Sequence, residues 1–247
     1  MIVTYQYEDI SVAHSSMRMF VASPKAEGKY PGIVFYSDIF QLTPTMIRAC
    51  VRLAGHGFVV VAPEIYHRVE PPGAWIPFDD TGRDRGMNDA ARTSVAEFDA
   101  DCRAALDHLK KHPKMASGKL GAAGFCIGGH LAFRAALQPD VKATVCFYGT
   151  GIHNGKLGKD DNAGSLERVK EIQGKLLMIF GSLDPHVPPE GRTKIENALK
   201  KAGTDFLIKL FPAEHAFMRD EGPRFDPEST DLAWQEAIGF FRKIFGS

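Results

Sequence analysis

The feature that most restricts what this chain can fold into is Gly124-Phe125-Cys126-Ile127-Gly128-Gly129. The apolar run Lys119–Phe125 ends there, and a helical pattern starts at Ile127. A turn this tight from strand into helix crowds the residues two positions either side of its apex, so both must be glycine. The turn lifts the apex side chain clear of the sheet edge and aims the backbone N–H groups that follow it, first that of Ile127, at a reacting centre. The helix N-terminus adds partial positive charge, which favours a thiolate and a developing oxyanion. The competing reading is a glycine-rich turn around a buried cysteine, since free cysteine is among the most buried residue types. Cys50 and Cys102, on the apolar faces of helical patterns, and Cys146, inside a strand, fit that reading. Cys126 stands at a strand end, where open α/β sheets form their ligand crevice.

The rest of the chain alternates in the same manner. Met17–Ala22, Gly32–Tyr36, Phe58–Ala62, Ala143–Tyr148, Lys175–Gly181 and Phe206–Phe211 read as further strands. Helical patterns cover Pro44–His56, Ala90–His112, Ile127–Leu137, Pro189–Ala202 and Ser229–Phe245. Strand–helix alternation implies a mainly parallel sheet with helices on both faces. The expectation is an α/β fold forming one domain over residues 1–247, with antiparallel strands at its N-terminal end. Glu64–Asp89, with Pro71, Pro72 and Pro77 and several charges, fits no element. It is either a wall or lid over a site or a surface excursion.

Charge and cysteine usage narrow the function classes. Thirty Lys+Arg balance thirty Asp+Glu, and no basic block offers phosphates a surface, which argues against nucleic acid. No apolar run reaches the roughly 18 residues that span a bilayer, and Met1–Ile10 lacks a secretory pattern. A cytoplasmic location is expected, with the four widely spaced cysteines as free thiols. His108 and His112 have a metal-compatible spacing, but no third ligand accompanies them in sequence and a helix C-terminus favours histidine anyway. No metal is expected.

A cysteine nucleophile needs a base, and the base an orienting acid. Asp184 follows the strand Lys175–Gly181, and His215 follows Phe206–Phe211. Nucleophile, acid and histidine thus come in the order of α/β-hydrolases, each after a strand. Asp184 before Pro185 could instead cap a turn, and His215 could be a surface histidine. The three ordered matches together favour a triad.

With Gly181-Ser182-Leu183-Asp184-Pro185-His186-Val187-Pro188 and His215-Ala216-Phe217-Met218-Arg219, the elbow resembles the dienelactone hydrolase family of α/β-hydrolases, over about Gly32–Phe241. Ser37-Asp38-Ile39-Phe40 is similar to the family's segment after its early central strand. The resemblance implies Cys126 as nucleophile, His215 as base and Asp184 as its orienter. The N–H groups of Ile39 and Ile127 would form the oxyanion hole. Asp38 stands where the family has a glutamate that modulates the thiol; the shorter side chain either reaches Cys126 or caps the turn that follows. The family grips a substrate carboxylate with two arginines. Arg219 matches one, Arg85 is the first match for the other with Arg83 second, and Phe40 joins them in binding substrate. Ala216 replaces a small hydroxyl residue often found beside the histidine.

The expected activity is hydrolysis of small esters or lactones through a thiol ester, without cofactor or metal. The partner is a small-molecule ester or lactone, possibly one carrying a carboxylate, with a monomer adequate for the task. The alternatives are a non-hydrolytic ligand-binding or redox-sensing protein on the same fold, and an acyl transferase. No second cysteine lies near Cys126 in sequence to resolve an oxidised thiol.

Overall fold

Consecutive side chains of the short run Val59-Val60-Val61-Ala62 enter opposite apolar layers. Val59 and Val61 join one buried cluster, Val60 and Ala62 the other. Such a strand has no solvent face, which is why its sequence shows no alternation. A computed structural model describes residues 1–246; residue 247, included in the expected domain span, lies outside the described residues. One sheet of eight strands runs through them: β1 (Val3–Val12), β2 (Ser15–Pro24), β3 (Tyr30–Tyr36), β4 (Val59–Pro63), β5 (Met115–Phe125), β6 (Val141–Phe147), β7 (Lys175–Gly181) and β8 (Phe206–Phe211). Their order is β1-β2-β4-β3-β5-β6-β7-β8. β1 and β2 are antiparallel additions at one edge, and all pairings from β4 to β8 are parallel.

The helices make two outer layers. α1 (Pro44–Gly55) and α6 (Pro227–Phe245) cover one face, where Leu53, Trp234, Ala237 and Phe241 pack on Phe35, Phe125 and Phe147. α3 (Val95–Lys111), α4 (Ile127–Ala135) and α5 (Pro189–Ala202) cover the other through Leu106, Leu109, Leu131, Phe133, Ile195 and Leu199. No helix among the described residues is long and apolar enough to cross a membrane. The chain leaves β3 for α1 on one face and β5 for α4 on the other, so the loops after these neighbouring strands diverge. A crevice at strand C-terminal ends opens at such a switch point.

The structure corrects two helical assignments. The pattern read as one helix over Ala90–His112 is two: α2 (Asp80–Arg92) ends, and α3 begins after Ser94. The Ser94 hydroxyl accepts the Glu97 N–H (3.2 Å), while the Glu97 carboxylate accepts the Ser94 N–H (2.7 Å). This reciprocal box forces a new start although apolar spacing continues across it. The unassigned stretch Glu64–Asp89 also contains most of α2. Only Gly82, Gly86, Asp89 and Ala90 of α2 are buried, so no hydrophobic stripe marks it. Asp79 caps it, accepting the Gly82 N–H at 2.7 Å.

Candidate active site

Cys126 occupies the turn between β5 and α4 with φ 57° and ψ −120°, a backbone state that L side chains rarely adopt. Strain of this kind costs about 1–3 kcal/mol and persists only where surroundings enforce it. Here they do: a Cβ at Gly124 would lie 1.9 Å from the Gly128 carbonyl oxygen, and one at Gly128 would lie 2.3 Å from that of Ser37. The turn is tied down by Cys126 N–H donating to Phe147 (3.1 Å) and by Thr150 N–H donating to the Cys126 carbonyl (3.2 Å). The thiol is half-buried, with Thr150 Oγ1 at 3.9 Å.

β7 and β8 deliver the other two residues. His215 Nδ1 lies 2.8 Å from Asp184 Oδ2, and both side chains are almost wholly buried. Asp184 Oδ1 also accepts the His186 N–H at 2.8 Å, so one carboxylate both makes the turn expected before Pro185 and orients the imidazole. Burial works to raise the Asp184 carboxyl, and its bond to His215 outweighs this and holds it below the usual range. Burial alone would lower His215, but the charge of the adjacent Cys126 and the bond to Asp184 bring it up to about 9. The ring packs against Tyr148 (centroids 5.2 Å) and His186 (4.6 Å), both edge-on.

Ile39 and Ile127 line the same cavity, and neither backbone N–H has an acceptor among the described residues. Asp38 makes no hydrogen bond to Cys126. Its Oδ1 accepts the Phe40 N–H (3.0 Å), and its Oδ2 meets Arg219 Nη2 (2.7 Å) and Nε (3.2 Å). Asp38 is therefore both a turn cap and the counter-ion of Arg219. The Arg219 guanidinium lies between the rings of Phe40 (4.7 Å) and Phe78 (4.6 Å). It lines the cavity with its charge already matched.

The second arginine of the sequence reading is displaced. Arg85 is not among the cavity residues: its Nε donates to Glu70 at 2.6 Å, and a second nitrogen holds the other carboxylate oxygen. Arg83 lines the cavity, paired with Asp80 and Asp84. A helix presents a different face every residue, so neighbours such as 83 and 85 cannot share a wall, and sequence proximity alone could not choose between them.

The cavity holds about 830 Å³ and is lined by loops from every side of the crevice. Phe78, Asp79, Met87, Ala90 and Ala91, from the segment that resisted assignment and the start of the helix beyond it, form one wall. Thr150, in the Gly149-Thr150-Gly151 segment after a strand that the sequence offers as site floor, also lines it, as do Asn154, Lys156, His186 and Arg224, to which sequence reasoning assigned no role. Thr150 and His186 follow β6 and β7, so the rule that parallel strands present their C-terminal ends to the crevice was the signal available for them. His108, which the sequence reading set aside as a metal ligand, meets Glu8 at 2.6 Å and is not among the residues lining this cavity.

The match extends well beyond a few motifs: the model of the "Dienelactone hydrolase family" covers residues 17–245. A Saccharomyces cerevisiae protein provisionally named carboxymethylenebutenolidase is 38% identical, over 99% of this chain and 92% of its own length. The carboxymethylenebutenolidase of Pseudomonas sp. (strain P51) is 28% identical, over 89% of this chain and 87% of its own. The crystal structure of a provisionally named dienelactone hydrolase from Klebsiella pneumoniae superposes with a TM-score of 0.86 at 24% identity, covering 98% of this chain and 100% of that one. With the match spanning nearly the whole sheet and every loop that lines the crevice, the chain belongs to the dienelactone hydrolase family.

Proposed function

We propose that the protein hydrolyses small esters or lactones through a thiol ester on Cys126. The observation that carries this reading is the placement of one buried imidazole, His215, between the Asp184 carboxylate and the Cys126 thiol, beside two unused backbone N–H groups. The Cys126 thiolate attacks the acyl carbon. The carbonyl oxygen takes up the negative charge facing the Ile39 and Ile127 N–H groups. When the tetrahedral adduct collapses, the C–O bond to the leaving group breaks and His215 supplies its proton. The acyl group stays on sulfur, and in a lactone the leaving oxygen remains tethered to it.

The second half-reaction needs His215 as a base. Its raised pKa depends in part on the thiolate charge, which acylation removes. Burial, which lowers the pKa, then carries more weight, and the imidazole is left neutral to accept a proton from water. Water attacks the thiol ester, the C–S bond breaks, and the acid leaves with the thiolate restored. Asp184 keeps the ring oriented through both steps. Thr150 and Tyr148 hold the thiol and the ring, Phe40 and Phe78 supply an apolar wall, and Asp38 with Arg219 braces that wall. Arg85 takes no part in binding; it secures the wall through Glu70.

Rapid quenching after mixing with a p-nitrophenyl ester, followed by mass spectrometry, tests the reading. It predicts one acyl group on the peptide containing Cys126, formed as the p-nitrophenolate burst appears and absent in Cys126→Ala. Turnover of the same ester by Cys126→Ala at the wild-type rate would refute it.

A further inference from the structure

Gln41 holds a left-handed backbone, with φ 64°, although it is not glycine. It is also wholly buried. A left-handed conformation is costly for a residue that carries a Cβ, and a buried carboxamide is costly unless its polar atoms find partners. Glycine at this position would avoid both costs. They fall two positions after Ile39, whose N–H the hydrolase reading gives to the oxyanion. Strained residues of this kind persist where the surroundings over-determine them, and they gather at functional sites.

The side chain of Gln41 is fully engaged. Its Oε1 accepts the Tyr66 N–H, and its Nε2 donates to the Ala74 carbonyl, each at 3.1 Å. One carboxamide thus serves a backbone donor and a backbone acceptor together, which a carboxylate or an apolar side chain cannot do. The backbone around it closes a turn. The Gln41 N–H donates to the Asp38 carbonyl (3.2 Å), and the Ile76 N–H donates to the Phe40 carbonyl (3.0 Å). Ile39 and Phe40 are the two central residues of that turn. The Phe40 N–H is taken by Asp38 Oδ1 and the Gln41 N–H by the Asp38 carbonyl, which leaves the Ile39 N–H for the cavity. Arg219 grips the start of the turn through the Asp38 carboxylate. Gln41 grips its end against residues 66–76.

We propose that Gln41 is a positioning residue for the oxyanion site: its carboxamide fixes the turn 38–41 so that the Ile39 N–H is aimed at the carbonyl oxygen as that oxygen becomes charged. The proposal rests on the hydrolase reading above. Glycine would relieve the strain at position 41, but it would leave the end of the turn free to swing. A donor held in place in advance costs no reorganisation when charge develops. Its contribution belongs to the transition state, so loosening it lowers kcat and leaves KM near its original value. Gln41 itself touches no reacting atom.

The test uses Gln41→Gly, which removes the strain and the clamp together, and Gln41→Asn, which tolerates the left-handed backbone but is one methylene too short to bridge Tyr66 and Ala74. Each variant should hydrolyse a p-nitrophenyl ester with kcat lowered by about tenfold, less than the loss of a whole oxyanion donor. KM and the thermal midpoint should stay near wild type. The second readout is inhibition by an alkyl trifluoromethyl ketone. The Cys126 thiolate adds to its carbonyl carbon; a C–S bond forms, the carbonyl π pair moves onto oxygen, and no group leaves. Affinity for the ketone should weaken in proportion to kcat/KM. Affinity for the matching trifluoromethyl alcohol, which develops no oxyanion, should hold. Unchanged kcat and ketone affinity in both variants would overturn the proposal and leave the hydrolase reading intact. Equal losses for ketone and alcohol would also overturn it, since the whole pocket would then have shifted. A wild type that neither turns over the ester nor binds the ketone overturns the hydrolase reading, and the proposal with it.

Discussion

Cys126, Asp184 and His215 stand at the ends of β5, β7 and β8, while the wall facing them, from Phe78 to Ala91, leans on side-chain contacts. The first group is placed by backbone: parallel pairing sets the strand ends level, and glycines at the elbow leave one path for the chain. The second is held by Arg85 on Glu70 and by the contact between Glu70 and Asp89. Even the carboxyls differ. Asp184 lies below the usual range because a histidine shares its charge. Asp89 is pushed up to about 6 by burial and then by the neighbouring Glu70 carboxylate. The side bearing Cys126 is over-determined by backbone, whereas the wall leans also on an ion pair and on a carboxyl held above its ordinary range.

Substitutions on the two sides should therefore fail differently. Cys126→Ala should reduce kcat by at least about 10³-fold and leave the thermal midpoint close to wild type, as read by ester turnover and calorimetry; a much smaller kinetic loss would remove the nucleophile from that side. Gly128→Ala should cost about 3 kcal/mol or more, because its Cβ has only backbone to push against. Urea unfolding would report this, and a near-neutral effect would mean that the elbow is looser than its contacts indicate.

Besides the packing of Phe78 on Phe40 and Arg219, the wall meets the opposite side backbone to backbone, where a Cβ on Gly86 of α2 would lie 2.4 Å from the Ile39 carbonyl oxygen. Gly86→Val should displace α2 or the Ile39 segment and lower kcat by about tenfold, since removing one oxyanion donor altogether costs about 10²–10³. Undiminished kcat would show that the wall moves independently of the oxyanion site.

Two pH responses sharpen the contrast. The imidazolium of His215 is present below about pH 9 and lost above it. Acylation by a methyl ester, whose leaving group needs that proton, should fall above pH 9, and acylation by a p-nitrophenyl ester should not; parallel profiles would detach His215 from leaving-group protonation. Asp89 gives the smallest effect. Its folded-state pKa of about 6 exceeds the ordinary 3.8, so the folded protein holds a proton that the unfolded chain has released between these values. Stability therefore falls as pH rises through that window, and the full penalty applies above it. Asp89→Asn should raise stability at pH 8 and leave it unchanged below about pH 4. A constant difference in urea midpoints across that range would place the effect elsewhere.

The same contrast separates what could be read in the sequence from what could not. The elbow was legible because a strand-to-helix turn of that tightness admits few residues, and its glycines fall within six positions, Gly124 to Gly129. The strands were legible because strands buried on both faces need unbroken apolar runs, as at residues 59–62. α2 was not, because it buries glycines, alanine and one carboxyl rather than an apolar stripe. The start of α3 was written in Ser94 and Glu97, but apolar periodicity running through the break concealed it.

By itself, then, the sequence determined the α/β architecture and the succession of strand ends bearing Cys126, Asp184 and His215, because backbone sterics and apolar periodicity act between near neighbours. Tertiary structure alone decided that Asp38 meets Arg219 across 181 positions, and that Arg85 turns to Glu70 while Arg83 faces the cavity. Charges pair through space, and which carboxylate an arginine meets depends on how separate loops pack, which no local pattern encodes.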